Sequence, residues 1–176
     1  MDARKTRFDV LGQIGALRRY ARSLTRDPGE AEDLVQDALL RAYERRGSFR
    51  AGGSMRAWLL SILHNAFIDG VRSRRSEARR IEAAGRIGES ALAAPQEHSV
   101  RLSQVREAFM SLPEEQRAAL HLVAIEGLSY QEAAGALGIP LGTLMSRIGR
   151  ARAALRAMEE SEPGRGAHLR IVGGPE

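Results

Sequence analysis

Thr143, Ser146, Arg147 and Arg150 share one side of an amphipathic stretch and together carry the donors that read nucleic acid. An arginine fork bonds the O6/N7 edge of guanine, and serine or threonine hydroxyls bond base edges or phosphates. Arg72, Arg74 and Arg75 form a second basic group suited to phosphates, and nearby Asn65 offers an amide that both donates to and accepts from a base edge. The chemistry reverses between Asp27 and Asp37, where five acids and no base mark a surface for a basic protein. The chain carries a net charge of +5, which favours phosphate backbones, although its distribution into patches says more than its total. Catalysis finds no support: His64, His98, His121 and His168 lie far apart without ligand spacing, and cysteine is absent. No glycine loop that could cradle phosphate precedes a basic residue. Neither a metal nor a cofactor is expected, and the chain is not read as an enzyme.

Those residues need helices to present them. Ser129-Tyr130-Gln131-Glu132 is a capping box that starts a short helix with Ala133, Ala134 and Leu137 on its apolar side. Gly138 supplies the left-handed residue that ends it, and Pro140 suits the first turn of the next helix. There Leu144, Ile148, Ala151 and Leu155 recur at helical spacing behind the Arg/Ser/Thr front. Helix, glycine turn and basic second helix make a helix-turn-helix. Upstream, Val10 to Leu24 reads as a helix, and Asp27-Pro28-Gly29-Glu30 caps a second with the stripe Ala31, Leu34, Val35, Ala38, Leu39, Ala42. Gly47 to Arg56 reads as a loop, most permissive at Gly52-Gly53, before a long helix from about Met55 to Arg75. In that helix Trp58 shares its spacing with Ile62 and either packs inward or stacks on a base; His64 reads as a surface residue. Val100 to Ser111 and Pro113 to Glu126 read as two further helices.

The expected fold is therefore all-α, with two small helical domains joined by a flexible linker and the second domain a helix-turn-helix. The divisions fall at 8–76, a linker at 77–99, 100–158, and a flexible tail at 159–176. No run of apolar residues is long enough to span a membrane, so no membrane insertion is expected, and the absence of cysteine fits a reducing cytoplasm.

Taken together, these motifs resemble a known family. Asp33-Leu34-Val35-Gln36-Asp37, Ser48-Phe49 and Ala57-Trp58-Leu59 followed by Asn65 are similar to the second domain of bacterial sigma factors. Ser111-Leu112-Pro113-Glu114, Gly127 to Ala134 and Gly138 to Thr143 are similar to the fourth. Two such domains with nothing sizeable between them resemble the small extracytoplasmic-function class. The resemblance implies that Asp33, Gln36 and Asp37 dock on a basic coiled coil of the RNA polymerase largest subunit. It implies that Gly52, Gly53, Trp58, Asn65, Arg72, Arg74 and Arg75 serve the minus-ten promoter element and its melting. It places Thr143, Ser146, Arg147 and Arg150 on the minus-thirty-five element. Met145 and Gly149 depart from the family pattern, so promoter preference does not transfer from a relative. The partners implied are core RNA polymerase, promoter DNA and an anti-sigma factor, with a role in a stress or envelope response. The alternative is a conventional helix-turn-helix regulator of duplex DNA that never docks on polymerase.

Overall fold

The computed structural model describes residues 10–50, 52–83 and 100–160, which form seven α-helices and no strand. A single 3-10 turn, Leu11–Gln13, leads into α1, Ile14–Thr25, where one continuous helix from Val10 was expected. Arg26 ends α1 in a left-handed conformation, φ 66°, a backbone state costing about 1–2 kcal/mol outside glycine. Asp27 then caps α2, Pro28–Glu44, its carboxylate accepting from the Glu30 N–H at 2.8 Å, with Pro28 at the first helical position. Both features follow the sequence reading, because capping is decided within four residues.

The third helix is longer than expected. α3 runs Met55–Ala83 and takes in residues assigned to the linker. Glu77, Ala78, Arg79 and Arg80 are good helix formers, a Glu77–Arg80 pair at 3.8 Å spans one turn, and residues 72–80 are exposed all round. The rest of the expected linker, 84–99, and the tail beyond 160 lie outside the described residues.

In the second half, α4 is Val100–Ser111 and α5 is Glu114–Leu120. The expected single helix from Pro113 to Glu126 instead widens after Leu120 into a π-helical turn, His121–Ile125, where the Glu126 N–H bonds the His121 carbonyl at 3.1 Å. α6, Tyr130–Leu137, has the full capping box and ends at Gly138, φ 64°. α7, Leu141–Glu160, begins one residue past Pro140, whose carbonyl accepts from Leu144 at 3.1 Å.

Each half has an apolar interior at helical spacing. Leu17, Tyr20, Ala21 and Leu24 of α1 meet Ala31, Val35 and Ala38 of α2 and Leu59, Leu60 and Leu63 of α3. Leu112, Ala119, Leu122, Ala133, Leu144, Ile148 and Ala151 fill the other half. The halves do not stand apart: α6 lies on α3, and α5 lies on α1.

Candidate nucleic-acid interface and the seam behind it

On α2, burial of Ala31, Val35, Ala38 and Ala42 turns Asp33 and Gln36 outward, and both are exposed. Leu40 and Tyr43 continue that face, 66% and 63% exposed. Asp37 is half-buried and already engaged. It pairs with Arg41 at 3.0 Å, and Arg41 reaches on to Asp69 of α3 at 2.7 Å. These two carboxylates raise the Arg41 guanidinium's pKa, Asp69 the more strongly.

The residues expected at the minus-ten element do not all converge. Asn65 is exposed on an open cleft of ≈ 390 Å³ with Arg41, Arg45, Asp69, Arg72 and the Leu137–Gly138 turn. Arg74 faces the other way, onto a groove lined by Asp33 and Asp37. Arg75 is exposed and lines neither cleft. Gly52 has φ +87°, which a side chain would strain, and a Cβ at Gly53 would meet the Arg50 carbonyl at 3.2 Å. Trp58 is half-buried with its ring tilted against Phe49, centroids 5.3 Å apart, among the partly buried residues on the core.

On α7, burial of Leu144, Ile148 and Ala151 leaves Met145, Ser146 and Arg150 exposed. Ser146 Oγ donates to the Thr143 carbonyl at 3.0 Å, a local bond common in helices. Arg147 is not free for a base: it pairs with Glu115 at 2.7 Å with 21% of its side chain exposed. It lies on a cleft shared with His64, Ile68 and Leu137.

The seam between the halves was not legible in the sequence. Every buried polar or charged side chain among the described residues belongs to it: Ser23, Arg117, His121 and Glu126. The Glu126 carboxylate is wholly buried and takes both nitrogens of an Arg19 fork, at 3.0 and 2.8 Å, plus His121 Nε2 at 3.2 Å. Burial alone would push its pKa up, but the bonds from His121 and Arg19 win and hold it below the usual range. Arg56 Nη1 donates to the Glu126 carbonyl at 3.1 Å. Arg117 donates through Nε to the Ser23 carbonyl at 2.6 Å and through Nη1 to Leu112 and Met110. Arg26 bonds the Met110 carbonyl from outside at 2.8 Å, which gives its strained backbone a fixed anchor.

His64 belongs here as well, not on the surface. Burial, with Arg147 nearby, lowers its pKa to about 4. Burial also keeps the Tyr20 phenol protonated; its Oη shares a hydrogen bond with His64 Nδ1 at 3.0 Å while its ring rests on His121. The one sequence signal for this seam was Glu126 itself, a carboxylate closing the apolar run from Leu122.

Among the described residues no cluster of His, Cys, Asp or Glu is arranged to hold a metal, and no helix is long and apolar enough to cross a membrane. Sigma-70 region 2 matches residues 14–77, and sigma-70 region 4 matches 102–155. The chain is similar to the ECF RNA polymerase sigma factor EcfG of Rhodopseudomonas palustris, 39% identical over 86% of this chain and 83% of that one. It is 38% identical to the ECF RNA polymerase sigma factor SigM of Mycobacterium tuberculosis, over 79% of this chain and 69% of the relative. Among solved structures, the sigma factor RpoE in complex with the anti-sigma factor NepR from Bartonella quintana superposes with TM-score 0.73 at 36% identity, covering 87% of this chain and 95% of that one. CnrH in complex with the cytosolic domain of CnrY gives 0.62 at 31% identity, over 87% and 86%.

Proposed function

The chain belongs to the extracytoplasmic-function class of RNA polymerase sigma factors, and from that premise we propose which of its surfaces do the work. It directs core polymerase to promoters and supports their opening, with promoter DNA and core polymerase as its partners. We assign it no reaction of its own, a cytoplasmic site of action beside polymerase and genome, and a role in a stress or envelope response. The RpoE structure holds the anti-sigma factor NepR and the CnrH structure the cytosolic domain of CnrY, which supports an anti-sigma factor as a third partner here.

Polymerase docking rests on the outward face of α2, where Asp33 and Gln36 stand exposed beside Leu40. That exposed acidic face is the observation that carries the reading, because a duplex-only regulator has no use for it. Asp37 holds that face in place through Arg41. The unit 8–76 serves docking and the minus-ten element, with Asn65 and Arg72 at one cleft and Gly52, Gly53, Trp58, Arg74 and Arg75 around it. The unit 100–158 reads the minus-thirty-five element through Thr143, Ser146 and Arg150, with Arg147 available once Glu115 lets go.

The promoter elements are named for positions about 25 base pairs apart, ~85 Å of duplex at 3.4 Å per step. Asn65 and Arg147 sit on clefts that share His64, Ile68 and Leu137. One closed body therefore reads only one element at a time, and reading both requires the seam to part. Asp33→Arg combined with Asp37→Arg tests the docking. The pair is expected to abolish co-purification with core polymerase at unchanged helix content by circular dichroism. Equal retention by wild type and variant would remove α2 from the interface.

A further inference from the structure

We propose that Met145 reads the upstream promoter element, selecting a thymine through its 5-methyl group. The inference rests on α7 being the upstream reader and adds what that reader prefers. The outward face of α7 is set by its buried stripe, Leu144, Ile148 and Ala151. Gly142, Ser146, Gly149 and Arg150 point away from that stripe on a helical period of 3.6, with Met145 on one flank beside the two glycines and Thr143 on the other. Two of these are glycines, and a Cβ built at either meets nothing within 4 Å. The Ser146 hydroxyl donates to its own helix, and Arg147, on the flank, is held by Glu115. Of the exposed side chains on this part of α7, Arg150 on the outward face and Met145 on the flank remain. Arg150 is exposed and makes no ion pair among the described residues; Met145 is 52% exposed.

Met145 has no hydrogen-bond donor and only a weak acceptor, so it cannot read the polar edge of a base pair. Thymine alone presents a methyl in the major groove, and apolar side chains discriminate it on that ground. A flexible, polarisable thioether suits such a contact. Bare backbone at Gly142 and Gly149 on either side lets the helix approach the groove floor closely enough for it. Leu141, one turn earlier on the same flank and 41% exposed, extends the apolar strip towards the end of the helix that enters the groove first. Five residues separate Met145 from Arg150, ~7.5 Å of helix rise or about two base-pair steps. The two side chains also point about 140° apart around the helix, so the expected element carries the thymine at a different pair from the guanine read by Arg150.

The test uses holoenzyme assembled from core polymerase and the full chain. The preferred upstream element is first selected from promoters randomised there, and each thymine is then replaced in turn by deoxyuridine, which lacks only the methyl. One position is expected to lose about three- to fivefold in promoter affinity, the effect of one buried methyl. Met145→Ala should erase that sensitivity while leaving the guanine preference intact. No sensitivity to deoxyuridine anywhere, or the same sensitivity in Met145→Ala, overturns the proposal and leaves α7 a reader by other means. A holoenzyme with no upstream preference at all overturns the assignment of α7 itself, and this proposal with it.

Discussion

The interiors of the two halves and the seam between them follow opposite chemistry. Within each half, buried side chains are leucine, alanine, isoleucine and valine, with Tyr20 and Phe67 in the first, at helical spacing and held by surface removed from water. Across the seam the buried groups include a carboxylate, a guanidinium and an imidazole, joined by charge-assisted bonds. An apolar contact tolerates sliding and many partners. The wholly buried Glu126 carboxylate fixes one geometry, and removing Arg19, itself half exposed, would strand it without water. The halves are thus built to fold, whereas the seam is built to close in one register. The proposed function asks for this difference, because reading two distant elements would need domains that stay intact while they move apart.

Removing the Glu126 carboxylate is the most forceful way to break the comparison. Glu126→Ala leaves the buried His121 Nε2 without its acceptor and returns the half-exposed Arg19 fork to water, a loss of about 2–3 kcal/mol. The expected result is a longer distance between spin labels placed on α2 and α7, with helix content kept. If the label distance and the melting temperature both match wild type, the seam does not depend on this carboxylate.

Acid should loosen the same seam by a smaller amount. His64 titrates near pH 4 in the closed body, against an ordinary value of 6.5. A depressed histidine favours the closed form while neutral, so closure is fully supported above about pH 6.5 and weakens as pH falls towards 4. The effect reaches on the order of 1–3 kcal/mol at the lower end, since each pKa unit is worth about 1.4. The label distance should lengthen across that window in wild type and change less in His64→Phe. A flat profile for wild type between pH 7 and 4.5 would show that His64 does not couple to closure.

The smallest effect concerns a site away from the seam altogether. Gly149 sits mid-helix in α7 with open space where a Cβ would go. Gly149→Ala should raise stability by roughly 0.5–1 kcal/mol in thermal unfolding. The same change should weaken upstream promoter binding if that bare backbone meets the groove. Stabilisation with unchanged promoter binding would place the outward face of α7 farther from the DNA.

Local signals were legible because they are complete within a few residues. The Asp27 cap, the Ser129–Glu132 capping box, the Gly138 left-handed turn and the apolar stripes of α2 and α7 appear where the sequence put them. The longer α3 was misread because a solvated Arg/Glu/Ala stretch has no apolar stripe to declare it helical. Among the residues expected to meet DNA or polymerase, Asp33, Gln36, Ser146 and Arg150 stand exposed, whereas Arg147 pairs with Glu115 and Asp37 with Arg41, contacts that no local pattern announces.

The sequence by itself determined the helices, their caps, the helix-turn-helix and, through its motifs, the sigma-factor family. Tertiary structure alone decided that Arg19 meets Glu126 across 107 residues and Arg117 meets Ser23 across 94. The physical reason is range. Helix periodicity and capping are settled within one or two turns, whereas a buried charge has no partner until distant segments have closed around it.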